Sequence, residues 1–316
     1  MTLNDLALHA AVIWGANLGP AGFRKLIETF GSLHEAASAT TFALKAADSR
    51  LSDAQIRMIQ SAPERLEETA ELLHSLHDED ITVATVGHEQ YPRALNILRN
   101  PPPLITLRGK FTDADMQSVA MVGTRSPSRE GCERAAEIAD ISVECGLTVV
   151  SGLAAGIDTA SHEGALVASG RTMAVLGSGI RHIYPPGNRQ LAAAIEDDGV
   201  IMSELSPDSE PEVGTLMARN RLIAALACGT IVVSSGATGG TMVTAEHTIG
   251  QGKPLAAVDW EDGTSKGAGN VQLIADGAAP LTTADSVREF CSRLQPVMSR
   301  PDIADSAEPD DQMQLF

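Results

Sequence analysis

The sequence has no apolar run of the roughly 18 residues that a membrane-spanning helix needs, and its start, MTLNDLALHA, lacks the basic n-region of a secretory signal. That pattern excludes a membrane anchor or export by that route and predicts a cytoplasmic protein. Cysteine is scarce and unpatterned. Cys132, Cys145, Cys228 and Cys291 form no C-x-x-C pair, which argues against a disulfide framework or a zinc site and for reduced, mostly buried thiols. H-E-x-x-H is missing, as are the Walker G-x-x-x-x-G-K-[ST] loop and the dinucleotide G-x-G-x-x-G, so neither a metal nor a cofactor is expected. No nucleophile with an adjacent base can be assembled either. Positive charge is the remaining shortage: 23 Lys and Arg stand against 41 Asp and Glu, for a formal net charge of −18 and an isoelectric point near 4.7. A generally basic nucleic-acid surface is excluded, but a small cationic cleft is not. Acid is densest from Glu196 to Glu212 and after Arg300, stretches without Lys or Arg, where it serves solubility.

What is present divides the 316 residues into three parts. Residues 1–78 read as helical, rich in Ala, Leu and Glu, with Leu66, Leu72, Leu73 and Leu76 near helical spacing. Within them Gly15 and Gly19-Pro20 predict a turn before an amphipathic helix. The segment is a small helical bundle or a helix-hairpin-like unit gripping a nucleic-acid backbone, with Arg24 and Lys25 as its few cations. From residue 79 to 294 short apolar runs recur: Val119–Val122, Leu147–Val150, Thr172–Leu176, Val200–Met202, Thr230–Val233 and Leu255–Val258. Helix-compatible stretches separate them, as parallel strands require. This predicts about six strands in an α/β, extended Rossmann-like, doubly wound and mainly parallel sheet. Residues 295–316 are polar, acidic and Pro-containing, and are predicted to be a disordered tail.

Ligands of such sheets bind beyond the carboxyl ends of the strands, so the residues after each run are the candidates. After the first run, Gly123 permits a close turn and Arg125 offers a fork for phosphate, unless it pairs with a carboxylate. Ser126 and Pro127 resemble an N-cap and first helical residue. After the second, Ser151, Gly152 and Gly156 make a small-residue loop whose amides suit an anion at a helix start. Asp158 either complements the helix dipole or orients donors, and His162 either packs or faces the same loop. After the third, Gly177, Ser178 and Gly179 permit close approach, and Tyr184 offers a stacking face or simple packing. Past the fourth, Arg219, Asn220 and Arg221 open an apolar helix and form an anion site or pair with nearby acids. Past the fifth, Gly240 and Thr241 begin another strand-to-helix turn. Several anion-friendly turns on one sheet edge fit an extended polyanion better than one small cofactor, and the machinery of phosphoryl transfer is missing.

Taken together, YPRALNILRNPPPLITLRG, VGTRS, SGLAAGIDTASHEGAL, AVLGSGI with YPPGN, SEL with RNRLIAAL, and GGTMVTAEHTIGQGKP resemble the DNA-processing protein A (Smf) family, in order and spacing from Tyr91 to about Gly277. The resemblance implies a homodimer that binds single-stranded DNA without catalysis and helps load RecA recombinase during natural transformation. Carried over by position, it implies DNA contacts at Arg125, Ser151, Gly152, Gly156, His162, Gly177, Ser178, Arg219, Asn220 and Arg221. The sequence departs from the family pattern at Ala155 and Ala218, where basic residues are common, at Ser234 and Gly239-Gly240-Thr241, and in GNVQLI. A winged-helix C-terminal domain is not found. Each lost cation weakens the salt-dependent part of affinity.

The chain ends EPDDQMQLF. Gln312, Leu315 and Phe316 resemble the short peptides that dock on a bacterial sliding clamp, and the acidic end with a terminal Phe resembles the tail of single-stranded-DNA-binding protein. Two other functions stay open: a nucleoside-monophosphate phosphoribohydrolase-like enzyme using Glu246 and Arg125, since GGTMVTAE resembles the P-G-G-x-G-T-x-x-E loop of such enzymes, and a sensor of a nucleotide signal.

Overall fold

The computed structural model describes residues 2–260 and 267–296; the predicted docking residues Gln312, Leu315 and Phe316 lie outside them. The chain begins with α1 (Leu3–Ile13), α2 (Pro20–Phe30), α3 (Leu33–Ser38), α4 (Thr41–Ala47), α5 (Asp53–Gln60) and α6 (Leu66–Asp78). Their boundaries follow from capping chemistry. Thr2 and Asp5 form a reciprocal capping box on α1, Ser52 and Gln55 another on α5, and α2 starts on Pro20 and stops at Gly31. Leu8, Leu26, Leu44, Ile56 and Ile59 form the bundle's own core. The two cations proposed as a footprint are used inside it or beside it: Arg24 Nε donates to Asn100 Oδ1 (2.7 Å), and Lys25 Nζ bonds Asp48 (3.0 Å).

A nine-stranded sheet follows, where the sequence predicts about six strands. Its strands are β1 (Thr82–Thr85), β2 (Leu104–Gly109), β3 (Ser118–Gly123), β4 (Thr148–Ser151), β5 (Thr172–Val175), β6 (Val200–Ser203), β7 (Gly229–Ser234), β8 (Leu255–Val258) and β9 (Ala279–Leu281), in the order β1-β2-β6-β5-β4-β3-β7-β8-β9. From β6 to β9 every pairing is parallel, and β1 and β2 add an antiparallel pair at one side. The fold is thus the doubly wound, mostly parallel α/β sheet that the apolar runs predict. Of the additional strands, β1 has four residues, β2 six and β9 three, and β9 carries Pro280.

The helices of this part are α7 (Arg129–Glu144), α8 (Ile157–Val167), α9 (Arg189–Asp198), α10 (Val213–Ala218), α11 (Asn220–Leu226), α12 (Gly240–Gly250), α13 (Ala268–Ala275) and α14 (Ala284–Ser292). Side chains alternate across a strand, and here both faces are apolar because both are covered. Val119 and Met121 face α7, α8 and α14, whereas Ala120 and Val122 face α11, α12 and α13. Ile13 of α1 and Leu73 of α6 pack on Leu104 of β2, with Val83 of β1 against the same cluster. The chain leaves β3 toward β4, β5 and β6 on one side and returns to β7, β8 and β9 on the other. That reversal opens a crevice at the carboxyl ends of β3, β4 and β7. Among the described residues no helix is long and apolar enough to cross a membrane.

Candidate functional site

A cavity of about 60 Å³ lies at that crevice, lined by Arg125 from the loop after β3, Gly152, Ala154 and Ala155 after β4, Tyr184 and Pro185 after β5, and Leu216 and Arg219 from α10 and its end. A larger cavity of about 430 Å³ sits at the opposite end of the sheet, between the end of α6 and the residues preceding β6, with His77, Asp80, Arg108, Lys110, Glu196 and Asp197 in its wall. Its volume does not make it the functional site. Its charges are of both signs, and it is remote from the strand ends where this sheet can present loops together.

The inner wall of the small cavity is closed by its own hydrogen bonds. Arg219 is buried, with 4 % of its surface exposed. Its Nη1 donates to Gly152 O (2.6 Å) and to Val175 O, and its Nε donates to Asn220 Oδ1 (3.1 Å). One guanidinium thereby ties the ends of β4 and β5. Burial lowers it to about 10 while Asp158 pulls the other way. Asp158 Oδ2 accepts from Gly152 N (3.1 Å) and Ala154 N (3.3 Å), and Ile157 N, the first amide of α8, donates to Thr124 O (3.2 Å). Two amides of the loop, Gly152 N and Ala154 N, and the first amide of α8 are therefore engaged within the protein. Burial raises the Asp158 carboxyl, opposed by Arg219 and these amides. Glycine is required at two points. At Gly152 a Cβ would occupy the place of the Arg219 guanidinium, and Gly156, with φ +86°, brings the loop against Thr124 O and Pro127.

The outer wall is open. Arg125 is exposed and, among the described residues, has no hydrogen bond or ion pair. Tyr184 is 40 % exposed. Its loop is pinned on one side by Asn188, whose Nδ2 donates to Leu153 O and Thr159 Oγ1, both at 2.8 Å. On the other side Arg181 bonds Glu79, Asp208 and Ser75. Beside this wall, Gly240 and Thr241 begin α12. Their N–H groups have no acceptor among the described residues, and the Gly240 backbone lies against Met217 and Asn220.

A family profile described as DNA recombination-mediator protein A matches residues 82–292. The chain belongs to this family. Protein Smf of Synechocystis is 35 % identical over 207 residues, which cover 64 % of this chain and 52 % of that protein, so the chain spans about half the length of that relative. DNA processing protein DprA of Bacillus subtilis is 31 % identical over 219 residues, or 69 % of this chain and 74 % of the other. Among solved structures, DNA processing protein A of Streptococcus pneumoniae superposes with a TM-score of 0.71 at 25 % identity, covering 91 % of this chain and 97 % of that one. The Helicobacter pylori protein, whose structure concerns its single-stranded DNA binding mode, gives 0.60 at 27 % identity over 66 % and 94 % of the two chains.

Within this DNA recombination-mediator fold, the predicted contact residues separate into two groups. Arg125, Gly240 and Thr241 stand at the open wall. Most of the others are engaged by contacts within the protein. His162 is fully buried, its Nδ1 is 2.6 Å from Thr172 Oγ1, and burial, then Arg219, lowers it to about 3, so it is neutral. Ser151 is buried and donates to Met121 O (2.6 Å), and Ser178 donates to His182 O (2.5 Å). Gly123 lies against Ile157, Gly177 against Leu216, and Gly179 against the Ser206 and Pro207 carbonyls. Asn220 spends its amide on Gly240 O (3.0 Å). Arg221 is paired with Glu204, a carboxylate whose side chain is 11 % exposed, so the acidic neighbourhood claims Arg221 and not Arg219. Ser128, not Ser126, caps α7, accepting from Gly131 N (3.2 Å).

Tyr184, read from the sequence as a stacking face or simple packing, lies on the cavity wall with Arg125. Its signal was its position after an apolar run, which placed it on a strand-end loop, while pairing with Arg125 across two loops has no local signature. Glu246, the catalytic carboxylate of the phosphoribohydrolase alternative, is exposed on α12 and does not line the cavity with Arg125. Among the described residues no group of three or more His, Cys, Asp or Glu side chains could hold a metal ion.

Proposed function

We propose that this chain binds single-stranded DNA at the strand-end crevice, without catalysis, and passes the strand to a RecA recombinase during DNA uptake and recombination, acting as a cytoplasmic homodimer. The observation that carries the reading is the unpartnered Arg125 beside the exposed ring of Tyr184, over the sheet's point of reversal. A guanidinium holds a backbone phosphate, an aromatic face takes a base regardless of sequence, and duplex DNA offers no free base to stack. The open amides of Gly240 and Thr241 supply a second phosphate contact at the start of α12. The Helicobacter pylori relative's single-stranded DNA binding supports the same assignment here.

The chain's net charge of −18 makes this contact local, because the protein surface as a whole repels the polyanion. Fluorescence anisotropy with a labelled oligothymidylate and with a duplex, titrated with salt, tests the reading. Single strands are expected to bind more tightly. Replacing Arg125 by Ala is expected to weaken them by about tenfold, some 1.4 kcal/mol, and to flatten the salt slope by about 0.7, the contribution of one phosphate. Equal affinity for duplex, or an Arg125→Ala variant that binds like the wild type, would overturn it.

A further inference from the structure

Two of the four thiols stand together at the far side of the domain from the crevice loops. Cys145 is the exposed residue that closes α7, and Cys291 is buried in the last turn of α14. Two independent contacts fix their register. Ser142, one turn before Cys145 and on the same face of α7, has its Oγ 3.8 Å from Cys291 Sγ. Glu144 pairs with Arg288, one turn before Cys291, at 3.0 Å. Ile141 of α7 and Val287 of α14 share one apolar cluster beneath these contacts. The other two cysteines are placed differently. Cys228 is buried and donates to Met116 O (3.3 Å), and Cys132 is half-buried against the apolar core, neither facing another thiol among the described residues.

We propose that Cys145 and Cys291 form a reversible disulfide under peroxide, fastening α14 to α7. Cys145, the accessible member, attacks hydrogen peroxide as its thiolate. The O–O bond breaks, hydroxide leaves and takes up a proton as water, and Cys145 carries a sulfenic acid. The Cys291 sulfur then attacks the Cys145 sulfur, the S–O bond breaks, and the hydroxyl departs with the Cys291 proton as a second water. The two thiols lose two electrons and the peroxide gains them. Burial shields Cys291 from peroxide, so it meets only the sulfenic acid beside it; burial also pushes its thiol up to about 11, which slows the second attack. The bond would close a long loop of chain, so the oxidised form gains stability by restricting the unfolded state.

The test uses the full chain treated with hydrogen peroxide, alkylated, digested without reduction and analysed by mass spectrometry. The expected product is a linked pair of peptides containing Cys145 and Cys291, about 2 Da lighter than their sum, with Cys132 and Cys228 still alkylated. Dithiothreitol should separate the pair. The thermal midpoint of the oxidised protein should rise by about 5 °C or more, and Cys145→Ser, a change at an exposed position, should lose both the linked peptide and the rise, whereas Cys132→Ser keeps them. Peroxide treatment that leaves Cys145 and Cys291 both alkylated, or that carries Cys145 on to a sulfinic acid with Cys291 free, would overturn the proposal.

Discussion

Arg125 and Arg219 share the wall of one small cavity, yet one is exposed with no partner and the other is buried against backbone carbonyls. The difference is set by what surrounds each guanidinium. Two strand-end carbonyls take the Nη1 of Arg219, Asn220 takes its Nε, and Asp158 compensates its charge, so most of its donors are used within the protein. Arg125 sits on a loop tip whose nearest capping groups, Thr124 and Ser128, are spent on Ser126 N and Gly131 N. The inner residue shapes the crevice, and the outer one can still exchange water for a phosphate. The motifs VGTRS and RNRLIAAL each carry an arginine and do not tell the open guanidinium from the buried one; burial and partners do.

The largest expected effect tests the inner member. Arg219→Met should leave two carbonyls and the buried Asp158 uncompensated and cost about 3–5 kcal/mol in urea unfolding, whereas Arg125→Met should stay within about 0.5 kcal/mol of the wild type. Equal stability of the two variants would break the comparison. His162 belongs to the same closed layer, with its charged form opposed by burial and then by Arg219. Its folded value near 3 lies below the ordinary 6.5, so the unfolded chain takes up the proton first. Its contribution is complete above pH 6.5 and is lost as pH falls from 6.5 toward 3. The loss is about 2 kcal/mol at pH 5. Denaturation at pH 7.5 and pH 5 should therefore show a smaller acid loss in His162→Gln than in the wild type.

The outer layer carries the weaker effects. Tyr184→Ala should cost about 1 kcal/mol of single-strand affinity with unchanged unfolding, and Tyr184→Phe should retain it; anisotropy reads both. Least of all, Ala155→Lys places a cation on an exposed position of the cavity rim. It should tighten binding by about half a kcal/mol at low salt and steepen the salt slope by about 0.7. A lysine there that changes nothing would place the strand away from the loop after β4.

How much of this is legible in the chain depends on how local its cause is. Strands β3 to β8 can be read because a strand buried on both faces must be an apolar run ended by a turn, as in VAMVG and TIVVS. Strands β1 and β9 escape because TVAT and APL are no longer than four residues, and β2 because LITLRG follows three prolines and ends on Arg-Gly; their pairing is decided by partners far along the chain. The glycine loop after β4 is legible as a tight turn, but the reach of Asp158 back to Gly152 N and Ala154 N is not, since an aspartate in a helix's first turn looks the same whether it repels, caps or binds. Likewise RNR announces two cations without saying that Glu204 will take the second and two carbonyls the first. The sequence points to one edge of the sheet; which side chains there are held by internal partners is visible only in three dimensions.

The two outermost strands have one more consequence. β9 has three residues and its middle one, Pro280, has no N–H to offer, and β1 has four residues with Val83 packed beneath α1 and α6. Neither margin presents a ladder of unused donors and acceptors long enough to template a foreign strand. Among the described residues, then, the sheet offers no long margin by which one molecule could be extended into the next.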